Sequence, residues 1–248
     1  YYCTNITITG GEYYNNSNGI YVYQSTYTNI TDGDYHDNFM GIYSTDHSLY
    51  TNVTNCLTRN NSQHGIWFQG NSYSTITDCT VSNNVYYGIY MCPGDLANAV
   101  SSNITAINNT IYGSGSKGFF ICRSPNSFLQ NNIIYNNGWN FDVYGETIEE
   151  YYHNIGPSNT INGKLIYYIV ETDDFILEGT SNVGYLALIS STNAILRNLD
   201  LPGVGVMLTN TTYSTFVNIK FYNSGIGLQL TRGSSHNSIT NCVFYNNT

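Results

Sequence analysis

Gly19-Ile20-Tyr21-Val22 returns along this chain as Gly41-Ile42-Tyr43, Gly65-Ile66-Trp67-Phe68, Gly88-Ile89-Tyr90-Met91 and Gly118-Phe119-Phe120-Ile121. Gly205-Val206-Met207-Leu208 and Gly227-Leu228-Gln229-Leu230 continue the series. The first three steps are 22, 24 and 23 residues, and the last is 22. About ten residues ahead of most of these glycines stands a second mark: Asn55-Cys56-Leu57, Asp78-Cys79-Thr80, Asn108-Asn109-Thr110 and Asn131-Asn132-Ile133, then Asn198-Leu199-Asp200, Asn218-Ile219-Lys220 and Asn241-Cys242-Val243. Short alternating runs lie between Asn, Gly and Ser turns, and no stretch of helical period interrupts them.

One such unit cannot bury its own inward side chains, whereas stacked units make a continuous core. The expected fold is all-β: a right-handed parallel β-helix, a solenoid of coils of roughly 22–24 residues. Inward columns would hold Ile20, Ile42, Ile66, Ile89, Phe119, Val206 and Leu228, and Val81, Ile111, Ile134, Leu201, Phe221 and Phe244. The turn asparagines would stack, with amides bonded along the column.

The repeats resemble the NosD-like right-handed β-helix repeat proteins, common among archaeal secreted and surface proteins. The match is most specific at Ser158-Asn159-Thr160-Ile161-Asn162-Gly163-Lys164-Leu165-Ile166-Tyr167-Tyr168, which looks like a segment "NTVNGKPVYY" of that group, with Leu165 in place of its Pro. The resemblance implies coils over 1–154, an insertion near 155–181, and coils over 182–248 resuming at Gly184-Tyr185-Leu186-Ala187-Leu188. It does not imply one activity, because the group includes copper-maturation accessory proteins, surface-layer components and carbohydrate-active proteins.

Charge narrows the partners. Charged residues make up 9% of the chain, far below the usual quarter, and the net charge is −9 with seven Lys and Arg. No basic face exists for nucleic acid, and no apolar run is long enough to span a membrane. The chain begins at Tyr1 without an initiator Met, as a mature or trimmed segment would. Nine Asn-X-Ser/Thr sequons, at Asn5, Asn15, Asn29, Asn52, Asn60, Asn103, Asn108, Asn210 and Asn246, suit N-linked glycans on an extracellular or cell-surface protein, although so Asn-rich a chain also forms them by chance.

Six cysteines fit an oxidising exterior. Cys92 and Cys122 each fall four residues after a strand glycine, in one column and within disulfide reach, and a bridge is expected there. Cys56 and Cys79 also share a column, as a bridge or as two buried thiols. Cys3 and Cys242 remain for pairing between subunits. The alternating Asp32, Asp34 and Asp37 around Gly33 have the pattern of a calcium loop without its bidentate Glu, and a solvated turn explains them better. No other cofactor is indicated. The five His and three Met are dispersed, so copper has no ligand cluster. Nor does an ordered set of carboxylates or basic residues mark a polysaccharide-cleaving enzyme, and no catalytic residue is assigned.

Tyr21, Tyr43, Trp67, Tyr90 and Phe120 each follow an inward residue and form an outward aromatic stripe, fit to stack on sugar rings, to pack against another subunit, or to lie under a loop. Two readings follow. The first is a non-enzymatic structural glycoprotein, self-associating into a filament, sheath or surface layer. The alternative is a carbohydrate-binding or polysaccharide-cleaving β-helix.

Overall fold

The structure, a computed structural model, describes residues 2–94 and 99–248. It is built of parallel strands throughout, and its one helical element among the described residues is a single turn, Glu149–Tyr151. The chain divides into two compact units, residues 1–153 with 158–162, and residues 154–157 with 163–248.

In the first unit each coil contributes one strand to each of three parallel sheets. Sheet A runs from Thr4–Thr9 through Thr26–Thr31, Leu49–Thr54, Thr75–Thr77 and Thr105–Ile107 to Phe128–Gln130. Sheet B starts at Glu12–Tyr14, Asp34–His36 and Leu57–Arg59 and continues to Thr160–Ile161. Sheet C starts at Asn18–Tyr23 and Met40–Thr45 and ends at Trp139–Tyr144. Registers follow the repeat: Ile20 pairs with Ile42, Ile42 with Ile66, Ile66 with Ile89 and Ile89 with Phe119. Val81 pairs with Ile111 and Ile111 with Ile134. Within the first unit, from Ile42 to Phe119 and from Val81 to Ile134, the members of these two columns are fully buried, whereas Phe244, expected to point inward, is 47% exposed.

The second unit repeats the plan. Lys164–Val170 pairs in parallel with Val183–Ile189, and Ile176–Glu178 with Ile195–Arg197. Lys164–Val170 and Ile176–Glu178, within the expected strand and loop insertion, are thus strands in parallel register with those that follow. Val206 and Leu228 belong to this unit's own column, after Leu186, and its core gathers Leu188, Leu196, Leu201, Phe216 and Phe221.

Two kinds of asparagine hold the coils together. The exposed turn column forms the expected amide ladder: Asn55 Nδ2 donates to Asp32 Oδ1 (2.7 Å), Asn108 Nδ2 to Asp78 Oδ1 (3.0 Å) and Asn131 Nδ2 to Asn108 Oδ1 (3.2 Å). A second, fully buried ladder stands one residue further on. The N–H groups of Cys79, Asn109 and Asn132 donate to Oδ1 of Asn109, Asn132 and Asn159, each at 3.0 Å. These side chains satisfy backbone donors where the chain turns and no strand partner is in reach.

The glycine of the repeat has a different cause. A Cβ on Gly41 would lie 2.5 Å from the carbonyl oxygen of Gly65, and one on Gly88 2.5 Å from that of Gly118. Successive coils touch backbone to backbone here, and only glycine permits it.

Candidate functional site

The aromatic stripe lies on the outer face of sheet C, where Tyr21, Tyr43, Trp67, Tyr90 and Phe120 pair in register. Their ring centroids are separated by 5.3, 4.5, 5.7 and 5.3 Å. Each inner ring therefore spends both faces on its neighbours. Tyr21 is exposed, but Phe120 is buried, with Lys117 Nζ 3.5 Å above its ring and tied to Asp142 (2.6 Å). His64 flanks the ladder, stacked on Tyr87 at 4.9 Å and edge-on to Trp67, and burial pushes its imidazole down to about 4. The middle of this stripe, Tyr43, Trp67 and Tyr90, is thus packed ring on ring and only half-exposed.

All six cysteines are thiols. The expected Cys92–Cys122 bridge is not formed, and Cys92 Sγ instead accepts the Trp67 indole N–H at 3.0 Å. Side chains in one column of a parallel stack point the same way, about 4.8 Å apart, whereas a disulfide turns its two Cβ atoms toward each other at about 3.8 Å. Cys56 and Cys79 are two buried thiols donating to the carbonyls of Thr54 and Thr77, both at 3.3 Å. Cys242 is half-buried, its thiol donating to the Phe216 carbonyl at 3.6 Å, while Cys3 is exposed.

Seven of the nine sequon asparagines, all but Asn29 and Asn52, have φ between 52° and 58°. Asn is the side chain such left-handed corners favour, so the turns account for these residues whether or not a glycan is attached. Asp32 occupies a similar corner and accepts from Asn55, while Asp34 and Asp37 lie beside His36.

Sequence reasoning missed a second aromatic column. Tyr27, Tyr50 and Tyr73 follow Asn5 and precede Asn103 at successive corners of sheet A, with φ of 55°, 55° and 54°. They are 53%, 38% and 52% exposed and stack at 4.9 and 5.6 Å. Beside them on the outer face run Asn29, Asn52 and Thr75, where Asn52 Nδ2 donates to Asn29 Oδ1 and Thr75 Oγ1 to Asn52 Oδ1, both at 2.9 Å. No strand of sheet A carries an acidic or basic residue. In the second unit the same device recurs: Tyr213 and His236 hold the corresponding corners and stack at 4.8 Å.

Residues 1–198 match the right-handed β-helix region family, and the chain belongs to it. No curated protein matches the sequence. Among solved structures, the A-module of the mannuronan C-5 epimerase AlgE4 of Azotobacter vinelandii is similar, with a TM-score of 0.49 and 15% identity over 95% of this chain and 58% of that one. The periplasmic alginate epimerase AlgG gives 0.48 and 14% over 95% and 50%. The tailspike protein gp49 of Pseudomonas phage LKA1 gives 0.45 and 14% over 98% and 48%. The chain thus spans about half the length of the solved proteins it matches. No helix among the described residues is long and apolar enough to cross a membrane.

Proposed function

We propose that this chain acts outside the cell by binding an uncharged polysaccharide along the outer face of sheet A. The observation that carries the reading is the ladder of Tyr27, Tyr50 and Tyr73. A bulky side chain in the left-handed region is strained by about 1–2 kcal/mol, and the fold itself is content with Asn at the same corner of neighbouring coils. Three consecutive tyrosines there, exposed and aligned, are poorly explained by stability; backbone strain of this kind concentrates at functional positions.

The surroundings set the ligand class. Phenolic hydroxyls, ring edges, amides and threonine hydroxyls repeat once per coil, about every 4.8 Å, which suits a hydroxyl-rich chain lying along the stack. With no charge on these strands and −9 overall, a polyanionic glycan would gain no ion pairs and would be repelled at long range. Of the two readings open from the sequence, the carbohydrate one therefore has the better geometric support, as a binding rather than a cleaving protein.

Binding to a panel of immobilised neutral polysaccharides, with alginate beside them, tests this directly. We expect retention on at least one neutral glycan, little on alginate, and a loss of tenfold or more in the triple variant Tyr27→Asn, Tyr50→Asn, Tyr73→Asn. Unchanged binding by that variant, or a preference for alginate, would overturn the proposal.

A further inference from the structure

Around the corner from sheet A, the outer face of sheet B gathers a second group of side chains. Glu12 pairs in register with Asp34, and Tyr14 with His36, which pairs in turn with Arg59. Glu12, Asp34 and His36 each offer one donor atom, and the three atoms lie within 4.8 Å of one another. His36 Nε2 is 2.9 Å from Glu12 Oε1.

What distinguishes this group from a patch of surface charges is how its members are held from behind. Asp37 Oδ2 takes the Nδ1 side of His36 at 2.7 Å, so the ring presents Nε2 toward the two carboxylates. A metal-binding histidine is commonly oriented by such a carboxylate on its far nitrogen. The Tyr14 ring stacks on the imidazole at 5.3 Å and 7°, which fixes its plane. Arg59 Nη2 holds Asp34 Oδ2 at 2.8 Å, and Asp34 Oδ1 is left buried with no hydrogen-bond partner. A buried carboxylate oxygen without a donor is unfavourable by about 1–3 kcal/mol or more unless something cationic meets it. Glu12 is exposed, so the group is reachable from solvent.

We propose that Glu12, Asp34 and His36 form a site for a borderline divalent ion of the zinc class. Calcium prefers six to eight oxygen ligands and has no use for an imidazole. One imidazole and two carboxylates suit zinc, with the fourth position open to water. Carried on register-locked strands, the three ligands have little freedom to drift. Asp32, which the sequence groups with Asp34 and Asp37, takes no part, and Asp37 acts as the orienting partner.

Isothermal titration of the metal-stripped chain with Zn2+, and in parallel with Ca2+, decides the matter. We expect one Zn2+ per chain, bound at least tenfold more tightly than Ca2+. His36→Gln should weaken Zn2+ by at least tenfold, and Asp37→Asn, which removes no ligand, by 10–100-fold. Equal Zn2+ affinity in the parent and in H36Q overturns the assignment, as does Ca2+ bound as tightly as Zn2+. Should H36Q fail to fold by circular dichroism, Glu12→Gln alters an exposed side chain and serves instead, and undiminished Zn2+ binding by it is equally fatal.

Discussion

Asparagine in the left-handed region is the least strained non-glycine answer to a tight corner, and Asn55, Asn108 and Asn131 show the answer used repeatedly. Tyrosine is not such an answer. Converting Tyr27, Tyr50 and Tyr73 to Asn removes three strained residues at about 1–2 kcal/mol each, against two ring stacks at about 0.5–1.5 kcal/mol each. The triple variant should therefore melt no lower than the parent while losing its ligand, a separation that a packing role for the ladder could not produce. The buried asparagines answer to a different balance. Asn132 accepts from Asn109 through both backbone N–H and Nδ2, at 3.0 Å each, and donates to Ala106 O (2.9 Å) and Asn159 Oδ1 (2.8 Å). Asn132→Ala strands several buried groups at about 1–3 kcal/mol apiece. Urea unfolding should show a loss of about 3 kcal/mol or more, and a loss below about 1 kcal/mol would show that water fills the gap.

At the scale of strands and coils, the backbone contact at the glycine column sets how closely coils stack. Gly41→Ala would drive a methyl group into the Gly65 carbonyl, with Asn61 Nδ2 a further 3.0 Å contact. Asn61 is itself held, its Nδ2 donating to Asn84 Oδ1 at 2.9 Å, so we expect a destabilisation of about 1–3 kcal/mol, read as a lower Tm; an unchanged Tm would mean that the coils slide apart freely. This column was legible in the sequence because glycine is punctuation: Gly41, Gly65 and Gly88 mark the period without any structure. The inward isoleucines and the exposed amide ladder were legible for the same reason, since each repeats one residue type. The doublets Asn108-Asn109 and Asn131-Asn132 also announced the second ladder, but two columns were read as one. Tyr27, Tyr50 and Tyr73 were hidden by their own chemistry. In Thr26-Tyr27-Thr28 and Leu49-Tyr50-Thr51 a tyrosine reads as an alternating strand residue, and propensity argues against the left-handed corner where it actually stands. The Glu12, Asp34 and His36 group was out of sight because it joins residues 22 and 24 positions apart, and only the register of sheet B brings them together.

Over the whole molecule, the histidines are unevenly distributed, and the two buried ones give the first unit an acid sensitivity. Burial pushes His64 down to about 4 and His153 to about 3, from an ordinary value of 6.5. Both lie in the first unit, whereas the second contains His236, which is exposed. In the unfolded chain these two rings take up protons as pH falls through about 6.5; in the folded unit they remain neutral until far lower. The unfolded state thus binds more protons between those limits, and stability falls with pH across them. Each histidine is worth on the order of 2 kcal/mol by pH 4.5. His36 runs the other way, since its hydrogen bonds to Asp37 and Glu12 raise it; it offsets part of the loss above about 6.5 and leaves the fall below that to His64 and His153. What it contributes is fully present below its ordinary value and fades only as pH rises through the higher, folded one. Trp67 and Trp139 are the two tryptophans, and both lie in the first unit, so their fluorescence reports that unit alone. Followed this way, the urea midpoint should drop steadily from pH 7 to 4.5, and His64→Phe, which keeps a ring against Tyr87, should shrink the drop. A midpoint that is flat over that interval would mean that both imidazoles reach solvent before the unit unfolds.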